Sequence, residues 1–344
     1  MRILLTGVDG YIGSVVAPRL LAAGHQVRGL DTGYYREGWL YSAPASAPRF
    51  IETLNKDLRR IERSDLAGID AVVHLAELSN DPLGETSRTV TRDINHQGSV
   101  KLAALAREVG IGRFVYASSC SVYGIAKTEV VDERSPVNPL TEYAKCKVNV
   151  ERDLTALATD DFCPVFLRNA TAYGPSPRMR FDIVLNNLSG LAWTTGRIAM
   201  TSDGTPWRPL VHVDDIATAI LCALDAPAER VRAQVFNVGR NEENYRVREI
   251  AGFVGEAFPK CEITFGKADP DNRSYKVNFD KISTQLPGFR CRHSARDGAF
   301  QLHELFERIR MDAATFEFRA YTRLKQLQYL IATSQIDQGF YWTH

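Results

Sequence analysis

Within its first 31 residues the chain runs apolar strand, glycine-punctuated turn, helix and second strand, and few folds accept that order. Arg2-Ile3-Leu4-Leu5-Thr6 is a short apolar run, and Thr6-Gly7-Val8-Asp9-Gly10-Tyr11-Ile12-Gly13 follows it. Ile12, Val15, Val16, Leu20 and Leu21 then carry helical spacing over 11–23. Gly24 stops the helix, and 25–31 reads as another strand. Continuous apolar runs recur at 71–76, 113–117 and 164–168, with a helical pattern over 95–109 between the first two. Strands apolar on both faces and alternating with helices predict an α/β chain built on a doubly wound parallel sheet.

From about Ala172 the texture changes. Tyr173-Gly174-Pro175-Ser176-Pro177 breaks regular structure, and a mixed segment with Gly196, Gly204 and Pro206 follows. The stretches 209–224 and 234–238 return to strand and helix patterns suited to packing on the sheet. We therefore expect a sheet domain over 1–172, completed by about 207–240. A smaller lobe would be formed by 173–206 and 241–310, with a helical tail over 311–344. The helical pattern of 294–333 runs through Phe300, Leu302, Leu305, Phe306 and Ile309, then Phe316, Leu324, Leu327 and Leu330.

Composition narrows the partners. With 42 basic and 41 acidic residues among 344, the net charge of +1 argues against nucleic acid or an anionic membrane. The apolar start is cut at Thr6-Gly7, too short for a signal peptide, and no apolar run reaches membrane-spanning length. Six cysteines without CxxC pairs fit reduced thiols in a cytoplasmic protein, with neither a disulfide framework nor a metal site expected.

The glycines of the first turn have a chemical reading. Glycine lets backbone turn tightly and approach a diphosphate closely, and the N–H groups at the helix start then face the phosphate charge. Gly7, Gly10, Tyr11, Ile12 and Gly13 are accordingly expected to hold a dinucleotide. Asp31, at the end of the second strand, would accept hydrogen bonds from the adenosine ribose and repel a 2′-phosphate, which favours NAD. Arg36 nearby leaves room for NADP.

A second cluster carries proton chemistry. Tyr143 and Lys147 are four residues apart and project from one helix face, behind Thr141 as a helix cap. A phenol titrates near pH 10, and a neighbouring ammonium favours its phenolate. Ser119, at the end of the Ser-rich strand that starts at Arg113, can hold a reacting oxygen at Tyr143. Hydroxyl, phenol and ammonium beside a nicotinamide make a site for hydride transfer. Cys120 and Cys146 border it without a His partner and read as packing residues.

In these ordered motifs the chain resembles, over roughly 1–310, the extended short-chain dehydrogenase/reductase family, and within it the NAD-dependent epimerase/dehydratase branch acting on nucleotide sugars. The resemblance implies a Rossmann sheet with a smaller C-terminal substrate-binding lobe, and Ser119, Tyr143 and Lys147 as catalytic residues. It implies cofactor contacts from the glycine loop, Asp31, Asp57 and Leu58, from Leu75, Ala76 and Glu77 in the His74-Leu75-Ala76-Glu77 motif, and from Asn95 in Asn-x-x-Gly. Tyr143 and Lys147 join that set. Glu77 departs from the family's usual Ala, and His74 is given no proton-transfer role. On the substrate side it implies Ser79, Ser119, Thr171, Arg208 and Arg273. Thr171 stands where Asn is usual, and the two arginines suit a diphosphate. A homodimer through the Asn95 and Tyr143 helices is also implied.

The reaction is narrowed by a missing pair. Sugar 4,6-dehydratases of this family carry Thr-Asp-Glu where this chain has Ser119-Cys120-Ser121, so the acid and base of an elimination are absent. An NAD-dependent nucleotide-sugar epimerase or oxidoreductase, with C4 as the first position, is the expectation. A keto-sugar reductase with net turnover of NAD(P)H uses the same residues, and a non-catalytic dinucleotide-binding regulator is the reading of another class.

Overall fold

The computed structural model describes residues 1–42, 51–79, 85, 87–125, 128–267 and 274–343. Its centre is a seven-stranded sheet in the order Gln234–Val238, Cys163–Asn169, Arg113–Ser119, Ala71–His74, Arg2–Thr6, Gln26–Asp31, Glu52–Asn55. Every neighbouring pair is parallel. The strand order reverses between Arg2–Thr6 and Ala71–His74, and such a switch point leaves a crevice at the carboxyl ends of the strands. The outer strand Glu52–Asn55 was not legible in the sequence. Its Glu-Thr-Leu-Asn is mostly polar because it lies at the sheet edge, half in solvent.

Both sheet faces are covered. On one, Val16 and Leu20 of the helix Gly13–Ala22 and Ile216 and Ile220 of Val213–Asp225 pack on Ile3, Leu5, Val73 and Val115. On the other, Leu102 and Ala106 meet Leu4, Val72, Phe114 and Phe166. The helix expected over 95–109 starts earlier and contains a π turn. It runs as Arg88–Thr91, a wider-wound Arg92–Gly98 and Ser99–Glu108. Such a turn re-aims side chains, here those of Ile94 and Asn95 beside the crevice.

A second core joins the smaller lobe. Helices Val184–Thr195, Val247–Ala257 and Ala295–Ile309 pack on one another with Leu185, Val254, Leu302 and Phe306 buried. The strand Trp207–His212 stays out of the large sheet and pairs with Thr171–Tyr173 and Asn244–Arg246. The uninterrupted helical pattern of 294–333 is broken in space. Arg310 ends the first helix in the left-handed region (φ 50°), and Ala313–Glu317 and Arg323–Ala332 follow as separate helices.

The glycine turn itself is sterically closed. Gly7 has φ +73°. A Cβ on Gly13 would stand 2.1 Å from the Gly7 carbonyl oxygen and 2.8 Å from Val8 Cα, both backbone atoms. Gly13→Ala is therefore expected to cost about 3 kcal/mol in urea unfolding, together with a loss of dinucleotide affinity.

Candidate active site

A cavity of about 550 Å³ opens at the carboxyl ends of the central strands, between the large sheet and the smaller lobe. One wall is the glycine turn with Asp31, and the opposite wall holds Ser119, Tyr143 and Lys147. Gly7 N donates to Leu30 O (2.8 Å), and the Asp31 carboxylate accepts from Asp9 N (3.1 Å) and Gly33 N (2.8 Å). Thr6 Oγ1 accepts from the Leu75 and Ala76 amides, both at 3.2 Å, tying the first strand to the turn after Ala71–His74. A Cβ on Gly7 would lie 2.9 Å from Ala76 N. The bare backbone, the helix start behind it and a carboxylate at the next strand end fit a dinucleotide, whose diphosphate these amides can hold. Arg36 turns to Asp9 (3.8 Å) and Asn55.

Tyr143 and Lys147 ride on the helix Glu142–Leu157. Thr141 caps it as expected, its side chain accepting from Ala144 N at 3.2 Å. Lys147 is 4% exposed. Its Nζ donates to Ala117 O, pairs with Glu77 Oε2 at 2.6 Å, and lies 4.6 Å from the centre of the Tyr116 ring and 5.4 Å from that of Tyr143. Ser119 ends its strand and its Oγ accepts from Ser121 N at 3.1 Å.

Glu77 has a place that motif matching did not reveal. Its carboxylate turns under the strand ends, 2% exposed, accepting from Tyr116 Oη at 2.6 Å while pairing with Lys147. Burial pushes the Glu77 carboxyl up against the pull of Lys147. For Lys147, burial pulls the ammonium down, and Glu77 together with Tyr143 more than offsets it, leaving it above its ordinary value. The pair therefore keeps the lysine protonated. The only earlier signal was the Glu itself, at a position where the family carries Ala.

The other predicted residues fall into distinct roles. Leu58, Leu75, Ala76, Ser79, Thr171 and Arg208 line the cavity, as do Gly10, Tyr11 and Ile12. Asp57 lines it too, while its carboxylate caps the turn Leu58–Arg60 and pairs with Arg59 at 2.6 Å. Asn95, expected to contact the cofactor, is not among the cavity-lining residues; it is bonded to Leu78, whose amide N donates to Asn95 Oδ1 (2.8 Å) and whose carbonyl accepts from Nδ2 (3.0 Å). Arg273 lies outside the described residues. His74 meets Thr6 (2.7 Å) and Ser99 (2.8 Å), and burial lowers its pKa to about 3, so it stays neutral.

Sequence reasoning missed Arg180, Asp182 and Arg323, all at the cavity. Arg180 pairs with Asp182 at 2.8 Å and reaches Ser79. Lone arginines carry no spacing signal, which is why they escaped notice. Elsewhere His212, Asp214 and His293 cluster within 4.8 Å. Both ring nitrogens of His212 are engaged, with Asp214 N and Gln301. Removing a buried counter-ion should be costly: Glu77→Ala is expected to lower unfolding free energy by about 3–5 kcal/mol, measured in urea.

Comparison with known proteins converges on one family. Residues 3–239 match the NAD dependent epimerase/dehydratase family. A UDP-glucose 4-epimerase of Mycolicibacterium smegmatis is 34% identical over 274 residues, 74% of this chain and 83% of that protein. A dTDP-glucose 4,6-dehydratase of Streptomyces niveus is 29% identical over 323 residues, 89% and 93% of the two chains. Among solved structures, MoeE5 in complex with UDP-glucose and NAD superposes with a TM-score of 0.76 at 26% identity, covering 90% of this chain and all (100%) of that one. The chain is thus a member of the NAD-dependent epimerase/dehydratase family, an enzyme of the extended short-chain dehydrogenase/reductase type that uses NAD.

Proposed function

We propose that the protein is a nucleotide-sugar 4-epimerase in which Tyr143 is the acid and base. The observation that carries this reading is one cavity lined by the glycine turn, Asp31, Ser119, Tyr143 and Lys147, with no carboxylate at 120 or 121. NAD, when bound, supplies acceptance of the C4 hydride and its return. Tyr143 as phenolate takes the proton of the C4 hydroxyl, leaving a ketone, and donates it back when the sugar has presented its other face. Ser119 holds the reacting oxygen. Lys147 favours the phenolate by charge, with Glu77 fixing its position.

A 4,6-dehydration needs an additional acid and base at the neighbouring turn. Cys120 cannot supply one: its Sγ faces Arg168 O at 3.2 Å, and burial pushes the thiol up. Ser121 is a hydroxyl without acidity of its own. On the substrate side, Arg208 is the proposed diphosphate ligand, with Thr171 and Ser79 facing the sugar; Arg273 is the second diphosphate candidate. The relatives named UDP-glucose 4-epimerase make UDP-glucose the first substrate to try. The same reading includes a sheet domain over 1–172 completed by about 207–240, a substrate lobe from 173–206 and 241–310, and a tail over 311–344. It also includes a cytoplasmic setting, in keeping with six unpaired cysteines. A homodimer across the helices around Asn95 and Tyr143 completes it, and sedimentation would reveal its mass.

Tyr143→Phe should lower turnover of UDP-glucose about 10³-fold with NAD still bound, and near-normal turnover would sink the assignment. Arg208→Ala should weaken nucleotide-sugar binding by about 1.5–3 kcal/mol in calorimetric titration, leaving NAD affinity unchanged.

A further inference from the structure

The tail lies beyond the family match and folds back over the cofactor side of the cavity. Leu327 and Leu330 of the helix Arg323–Ala332 pack against Tyr34, Leu78, Val90 and Ile94. Gln326 Nε2 donates to Tyr34 O (2.9 Å), Trp342 Nε1 donates to Thr32 O (2.7 Å), and Tyr34 Oη donates to Phe340 O. The segment that follows Asp31 is thus fastened to the tail at several points.

At the first turn of that helix, Arg323 enters the cavity wall. It is 3% exposed. Its guanidinium stacks 3.9 Å from the centre of the Tyr35 ring, and Nη1 donates to Ala320 O at 3.3 Å. Among the described residues it forms no ion pair. Its neighbour Arg180 is a second cation, and the Asp182 carboxylate beside them is held by Arg180 at 2.8 and 3.2 Å. Burial, with Arg180 adding to it, draws the Arg323 pKa down to about 10, so it is still charged at neutral pH.

The Arg323 backbone N donates to Asp182 Oδ2 at 3.2 Å, and Asp182 and Asp31 are the carboxylates that favour its charge, yet neither pairs directly with the guanidinium. A buried guanidinium without a directly paired counter-ion is expensive, several kcal/mol for each such ion. A fold that keeps one against an open cavity is arranged for an incoming anion. The cavity also holds the glycine turn and the start of the helix Gly13–Ala22, which suit a diphosphate. We infer that Arg323 is a ligand of the dinucleotide diphosphate, and that the tail is thereby a working part of the cofactor site. The inference rests on the NAD reading above. A nucleotide sugar offers the same diphosphate chemistry. The cofactor is favoured because Arg323 stacks on Tyr35, four residues past Asp31, and Asp31 is among the carboxylates that favour its charge.

The test uses Arg323→Met and Arg323→Gln in the full-length protein. NAD carried through purification is measured by mass spectrometry, and titrations of stripped protein follow with NAD alone and with UDP alone. The inference predicts NAD affinity at least tenfold weaker, UDP affinity within twofold of the parent, and a stripped Met variant that melts no lower than the stripped parent. NAD affinity within twofold of the parent overturns it, and so does a loss confined to UDP. Failure of both variants to fold also overturns it, since the charge would then serve the fold. A parent protein that binds no NAD would instead overturn the NAD reading, a distinguishable result.

Discussion

The ammonium of Lys147 holds the catalytic end of this molecule together. It is buried where three elements meet, bonded to Ala117 O at one strand end, paired with Glu77 from the next strand's exit, and carried by the helix Glu142–Leu157. Its charge is not tolerable there without partners. Glu77 and the Ala117 carbonyl therefore fix both the helix and the turn after Ala71–His74. Tyr143, one helical turn before Lys147, takes its position from the same anchor. The proposed proton site is thus set by burial and charge together rather than by loop conformation.

Around that anchor the cavity is divided by sign and shape. The glycine turn offers bare amides and no side chains, because the Gly7 and Gly13 positions leave no room for a Cβ. Asp31 stands beyond it as an acceptor. Arg180 and Arg323 face the cavity from the lobe and the tail, and Arg208 from the strand Trp207–His212. In the proposed reading a dinucleotide lies along the glycine turn and the sugar nucleotide toward Arg208.

The features legible in the sequence were those that local physics determines. Apolar runs without alternation marked four of the five inner strands, the fifth being marked by its place after the helix stop at Gly24, and the spacing of Tyr143 and Lys147 behind the Thr141 cap placed both on one helix face. Glu77 showed its identity but not its direction, since only the packing of Tyr116 and Lys147 turns the side chain inward. Asn95 carried a motif signal whose meaning depends on Leu78, 17 residues earlier. The tail was legible as helical, yet its breaks at Arg310 and before Arg323, and its seat on Tyr34 nearly 300 residues away, follow from tertiary contacts with no local trace. The edge strand Glu52–Asn55 escaped because half of it faces water.

The central claim is that hydride leaves C4 of a nucleotide sugar and returns to the same carbon without the cofactor leaving. UDP-glucose deuterated at C4, incubated with the enzyme as purified and followed by mass spectrometry and absorbance at the reduced-nicotinamide band, tests it directly. The account predicts that the C4 epimer forms with its deuterium retained and that no reduced cofactor appears in solution. Release of deuterated reduced cofactor, or a 4-keto sugar accumulating without epimer, would contradict it.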